Sequence, residues 1–304
     1  MDDVDMTAAL PADDHVHTQW SWDTALGDMA ATCTRALELG LPAVSFTEHA
    51  DFAEVSVPAE ASLPEHWAAY RHGNVIAPPP LDVDGYLQSV AECRERFPGL
   101  RIRTGVELSE PHQHAGEASA LLASATFERR LASVHSTHVP GIGWSDVAVA
   151  MALDDPRSVV RDYLREVASL AAGFDGFSVL AHIDYPIRHW PDTLPPYDPT
   201  DFEDEHRDAL RALVRNGKVL EVNTRVPLHP VVLAWWREEG GDAITSNLDG
   251  PNTFVDDITL DAVGAGCGTR RVTRFRVKSP QTVGPTYLTV AQPITIDVFV
   301  AETC

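Results

Sequence analysis

His15-Val16-His17 is the strongest local chemical signature in the chain. On an extended segment residues i and i+2 face the same side, so both imidazoles can approach one ion. One such pair is weak evidence alone, but Asp23, His49 (in Thr47-Glu48-His49), Glu107, His135, His182 and Asp249 extend it. These eight residues offer nitrogen and oxygen donors that suit zinc, manganese or iron, and no cysteine accompanies them. Glu107 is the natural bridge, because the two oxygens of one carboxylate can serve separate cations. Two divalent ions held this way would acidify water and offset charge on a phosphoryl group. No GxxxxGK[ST] loop, dinucleotide fingerprint, serine elbow or Cys–His nucleophilic pair competes with this chemistry.

The donors are scattered, so the elements that carry them must bring them together. Seven apolar segments read as strands: DDHVHT, LPAVSF, RIRTGVEL, RRLASVH, FSVLAH, KVLEVN and DAITS. Each ends at polar groups: His15/His17, Glu48/His49, Glu107, His135, His182/Asp184, Glu221/Asn223, and Asp249 just beyond the seventh. Helical patterns lie between them. The first is capped at Asp23 or Thr24 and stops at Gly40, and others cover 83–96, HAGEASALLASA, 158–171, 202–215 and VVLAWWREE. A Pro- and His-rich loop is expected from 53 to about 80, and a long excursion with Gly141, Gly143 and Trp144 follows His135. Continuous apolar strands alternating with amphipathic helices predict a parallel α/β fold. In a closed barrel the strand ends converge on one mouth, whereas an open sheet would leave several donors far apart.

With 45 acidic and 23 basic side chains among 304 residues, the formal net charge is -22. That charge opposes nucleic acid or an anionic membrane as a partner, while a small anionic substrate stays compatible with local arginines or metals. No segment reaches 18 uninterrupted apolar residues, and the acidic opening MDDVDM lacks the basic region of a signal peptide. The four cysteines have no zinc-knuckle spacing and form no disulfide framework, so a cytoplasmic protein is expected. A homo-oligomer stays open, since an interface leaves no signature in one sequence. The charge is unevenly spread. Residues 251–304 hold five acidic and five basic side chains, so the first 250 carry the entire excess.

Taken in order, DHVHT, SWD, TEH, GVELS, SVH, AHID and LEVNT resemble the polymerase-and-histidinol-phosphatase (PHP) superfamily, in particular its monofunctional histidinol-phosphatase-like members. The resemblance spans about residues 13–249. It implies a distorted seven-stranded (β/α)7 barrel, two or three divalent metal ions, and a small phosphorylated substrate. It places His15, His17, Glu107 and Asp249 around a first metal, and Glu107, His135 and His182 around a second. Asp23 and His49 would begin a third, which family members complete with a histidine in a DxH motif. Here that motif reads Asp249-Gly250-Pro251, and proline has no side-chain donor, so the third site should be weakened, served by a nearby donor, or absent.

Arg188 and Arg225 resemble the basic groups that hold phosphate in these enzymes, as a planar guanidinium fork does well. Asp184 is expected to orient His182 and Glu48 to orient His49, while Asn223 either binds substrate or supports a turn. His138, His189 and His229 are assigned to surface or packing roles. Asp249 or another carboxylate at the site is expected to manage a proton. The implied reaction is hydrolysis of a phosphate monoester, with histidinol phosphate the nearest family substrate. The alternatives are another phosphoesterase of the family, or a non-enzymatic member that retains metal. Residues 1–250 are read as the barrel. The tail from 251 is read as an atypical appendage, not an independent domain, with short β segments in ITLDAV, RVTRFRV and YLTVAQPITIDVFV. A reading-frame disruption near residue 250 would account for both the lost histidine and the altered composition, and sequencing the surrounding DNA in all frames tests it.

Overall fold

A computed structural model describes residues 11–59, 63–223 and 228–247, together with three further strands between 258 and 300. Seven strands form one parallel sheet in chain order. They are β1 (Asp13–Val16), β2 (Ala43–Asp51), β3 (Arg101–Ser109), β4 (Arg129–Ser133), β5 (Val179–Leu180), β6 (Val219–Asn223) and β7 (Ile244–Asn247). All seven fall on the predicted segments. The sheet curls until β7 lies against β1, where Thr245 Oγ1 donates to Asp14 Oδ2 at 2.9 Å.

The connections are helical. They comprise α1 (Met29–Leu39), α2 (Val83–Arg96), α3 (Ala115–Ser124), α4 (Val147–Leu153), α5 (Pro156–Gly173), α6 (Glu203–Arg215) and α7 (Pro230–Glu238). In α5, Asp155 caps the Ser158 amide and Pro156 occupies the first turn, where its missing N–H costs nothing. Val159, Val160, Tyr163, Leu164, Val167, Leu170 and Ala171 then line its buried stripe.

Three local expectations require correction. Asp28, not Asp23 or Thr24, caps α1 by accepting from the Ala31 amide at 2.7 Å. Leu26 accordingly lies before the helix and is 90% exposed. Asp23 is thereby left to face the cavity at the barrel mouth. The 53–80 segment is not simply a loop: Val55–Ser56, Val75–Ile76 and Arg71–His72 pair as a small antiparallel sheet beside the 3-10 turn Glu65–Tyr70. Two-residue strands are too short to show periodicity. The excursion after His135 is an antiparallel hairpin of Ser136–Val139 and Gly143–Asp146, followed at once by α4.

The barrel interior is layered. A register irregularity in β1 lets consecutive residues Asp14 and His15 both reach inward partners, which strict alternation would forbid. Asp14 meets Ser45 Oγ at 2.9 Å, Arg103 Nη1 at 2.7 Å and the Arg129 guanidinium. Burial alone would raise its pKa, but Arg129 and the hydroxyls of Ser45 and Thr245 outweigh that and hold it below the usual carboxylate value. Leu131, Val179 and Ala181 form a small apolar cluster, separate from the main core. Asp14→Ala leaves two arginines without their shared carboxylate. It is expected to cost about 3–5 kcal/mol of stability, read from urea unfolding.

A second stability prediction concerns His206 on α6, buried against Trp235 at a ring-centroid distance of 5.6 Å. Burial pushes its pKa from 6.5 down to about 4. Between those values the unfolded chain takes up a proton that the folded chain refuses, so stability falls as pH drops through that window. Unfolding midpoints from pH 8 to 4 should therefore decline less in His206→Gln than in the parent.

Beyond the barrel, Ile258–Val263, Arg271–Val277 and Ile294–Val300 form a three-stranded antiparallel sheet, on segments read as β in the sequence. No described helix is long and apolar enough to cross a membrane.

Candidate metal centre

Glu107 is the hub of the site. The parallel register sets it beside His49, and its carboxylate is fully buried at the barrel mouth. One oxygen, Oε2, lies 3.0 Å from His15 Nε2, 3.2 Å from His17 Nε2 and 3.4 Å from His49 Nδ1. The other, Oε1, lies 2.8 Å from His182 Nε2 and 3.6 Å from His135 Nε2. Asp23 Oδ2 approaches His49 Nε2 at 3.4 Å. Three groups among the described residues could each hold a metal ion, with ligand atoms all within 4.8 Å of one another. They are His15/Glu107/His182, His17/His49/Glu107 and His49/Asp51/His135. Seven of the eight predicted ligands thus converge, while Asp249 and Arg225 lie outside the described residues.

The residues that orient these rings differ in part from expectation. Glu221, seen in the sequence only as a polar strand end, accepts from His15 Nδ1 at 2.8 Å and from the His182 amide at 2.8 Å. Glu48 does not orient the His49 ring. It accepts from the Thr18 amide, the Thr18 hydroxyl and the Ser21 hydroxyl, because alternation along β2 turns it away from the face that His49 occupies. Asp184 does not fix His182 either, whose Nδ1 has no hydrogen-bond partner among the described residues. It is instead buried beside Arg188, and burial pushes its carboxyl up to about 6 despite that guanidinium. Asp51, absent from the sequence-based ligand set, sits 3.9 Å from His49 Nδ1 and 4.0 Å from His135 Nδ1. Among the described residues two non-glycines hold positive φ, His182 (25°) and Glu110 (43°), and both line the cavity. Such strain concentrates at functional sites.

The electrostatics are those of crowded donors. Burial would raise Glu107, but the imidazoles of His15, His49 and His182 outweigh it and hold the carboxyl well below its ordinary value. Burial would lower His15, yet Glu107 and Glu221 raise it well above 6.5. His49 is raised to about 9 in the same way, its burial overcome by Asp23 and Glu107. His17 falls to about 4 through burial and the adjacent His49. Two buried carboxylates at His15 therefore demand positive charge, which protons supply in the metal-free chain and a divalent cation can replace. The donor set fits a metal.

A cavity of about 370 Å³ opens over the cluster. Arg188 and Asn223 line it, together with Asp146, Glu110 and Tyr185. The far wall comes from the 53–80 insertion through Val55, Trp67 and Pro78. Trp67 packs on Trp22 at 5.0 Å, and His66 Nε2 meets the Asp23 carbonyl at 2.6 Å, which pins the insertion to the mouth.

A curled parallel sheet with a carboxylate-bridged histidine cluster at its mouth defines a class of metal-binding barrel. The PHP domain matches residues 13–225, and the chain belongs to the PHP family. It is 24% identical over 245 residues to the histidinol-phosphatase of Lactococcus lactis subsp. lactis (strain IL1403), covering 78% of this chain and 82% of that one. Among solved structures it is similar to the histidinol phosphate phosphatase of that organism, complexed with zinc, L-histidinol and phosphate. The TM-score is 0.64, with 24% identity and coverage of 79% and 85% of the two chains. A putative histidinol phosphatase from Listeria monocytogenes aligns with TM-score 0.59, 14% identity and coverage of 78% and 94%. These likenesses establish the barrel fold.

Proposed function

We propose that the chain is a metal-dependent phosphomonoesterase that acts on a small molecule, with histidinol phosphate as its leading substrate. One observation carries the reading: Glu107 turns one oxygen to His15, His17 and His49 and the other to His135 and His182. His15, His17 and Glu107, joined by Asp249, would hold a first cation, and Glu107, His135 and His182 a second. Asp23 and His49 would hold a third where another donor completes it. When bound, such ions acidify water and offset charge on phosphoryl oxygens.

The chain's own residues do the rest. Arg188 offers a guanidinium fork at the cavity wall, and its position over the Tyr185 ring at 5.4 Å helps to hold it for phosphate. Asn223 adds a neutral polar contact at the end of β6. Hydrolysis forms a water-oxygen bond to phosphorus and breaks the ester P–O bond, so the leaving alkoxide needs a proton. Burial pushes Asp146 up to about 6 and Glu110 to about 8, which lets carboxyls facing the cavity carry that proton near neutrality. The related phosphatases support the substrate class, since the solved Lactococcus protein was complexed with L-histidinol and phosphate.

The test is a panel of phosphate esters, including histidinol phosphate, assayed with zinc, manganese or iron. Release of histidinol and phosphate that depends on added metal is expected. Pro251 favours a second reading, a family member that binds metal without turnover. Metal binding with no phosphate release across the panel would establish it.

A further inference from the structure

Two buried hydroxyls lie behind the metal-facing rings, and counting their protons assigns them a task. Ser21 Oγ donates to Glu48 Oε2 at 2.6 Å and accepts from the His49 amide at 3.0 Å. Its one proton is therefore spent, so the 3.2 Å contact with His17 Nδ1 requires the ring to donate. Ser109 Oγ likewise donates to Asp51 Oδ1, so its 3.0 Å contact with His135 Nδ1 also requires a ring proton. Each ring then presents a bare Nε2 to Glu107, at 3.2 Å for His17 and 3.6 Å for His135.

We infer that Glu48–Ser21 and Asp51–Ser109 are paired carboxylate–serine relays that fix His17 and His135 as Nδ1–H tautomers. Each ring is thereby committed to offering Nε2 to the cation cluster. The inference rests on the reading that these two rings face cations, but it requires no particular substrate. It also assigns Asp51 its part. Asp51 Oδ1 accepts from Ser109 and Oδ2 from Trp22 Nε1, so both oxygens are engaged, and Asp51 is a positioning residue although it lies near His49 and His135. Glu48 is fully buried, and both its oxygens are taken up by Thr18 and Ser21. A third ring, His15, has its Nδ1 against Glu221 directly, with no serine between. A hydroxyl relay adds reach: it lets a carboxylate on the outward face of β2 govern a ring at the mouth. Metal-bound imidazoles usually donate their second N–H to such a partner.

The experiment uses the full chain with histidine labelled in nitrogen-15, metal-free at pH 8, and reads side-chain tautomers by long-range proton–nitrogen NMR. His17 and His135 should carry their protons on Nδ1. Ser21→Ala should redistribute the His17 proton and spare His135, and Ser109→Ala should do the reverse, a pattern that a general loss of packing would not produce. Zinc affinity, measured by competition with a chelator, should fall about 10–100-fold in each variant at unchanged stoichiometry. A proton on Nε2 of either ring in the parent would overturn the inference without any variant having to fold. So would tautomers unchanged in both serine variants, or loss of one zinc equivalent in Asp51→Ala with the His135 tautomer unmoved. Failure to release phosphate from any ester would defeat the phosphatase reading and leave these tautomers standing.

Discussion

Glu107→Gln is expected to cut phosphate release by about a thousandfold or more, because the bridge supports several kcal/mol of charge stabilisation at tenfold per about 1.4 kcal/mol. Glutamine keeps the size of the side chain but loses its charge, and its amide group turns a donor toward one of the two histidine sets. Whichever orientation it adopts, either the Oε2 side (His15, His17, His49) or the Oε1 side (His135, His182) loses its shared oxygen. Bound zinc should fall together with turnover, as metal analysis of the dialysed protein would show. Turnover near that of the parent with full metal content would rule out the bridging role.

The second large effect is expected at His15. His15→Ala removes a ring that lies between two buried carboxylates, Glu107 at 3.0 Å and Glu221 at 2.8 Å. Losing one partner of a buried charged pair costs about 3–5 kcal/mol, so the metal-free variant should unfold at a markedly lower denaturant concentration. Phosphate release should also drop by about a hundredfold or more, since several kcal/mol of metal-supplied stabilisation depend on the intact ligand set. Activity equal to that of the parent would sink the metal mechanism. Loss of stability with full retention of zinc would instead make His15 a structural residue.

The barrel and its donors were legible because their signal is local. Apolar runs ending in His15/His17, Glu107, His135 and His182 mark strands with polar groups at the carboxyl end, and parallel winding gathers such ends. Gly40, at φ 74°, likewise marked the end of α1. The orienting residues were legible only in part, because their partners are chosen across strands. Glu48 and His49 are neighbours in sequence, yet Glu48 serves Ser21 and Thr18, 27 and 30 positions away. Asp51 carries no motif, and only the pairing of β2 with β3, which sets it opposite Ser109, brings it between Ser109 and Trp22. Asp184 looked like a partner for His182 through proximity in the chain, but the 3-10 turn Tyr185–His189 brings Arg188 back beside it instead. The sheet in the insertion leaves no trace in the sequence for a different reason: its strands pair over two residues each, below any repeat length.

That insertion has a consequence for how the molecule could diverge. The donors sit on or beside the strand ends, whereas Val55, Trp67 and Pro78 reach the cavity from a self-paired stretch between β2 and α2. Substitutions in this stretch can reshape the chamber for a new leaving group while the ion-holding frame stays intact. Selection can therefore tune what enters without retuning the reaction, except at His66, which bonds the Asp23 carbonyl, and at Trp22. There the indole packs on Trp67 and also bonds Asp51, so a change of substrate preference that repacks this residue should also be felt at His135.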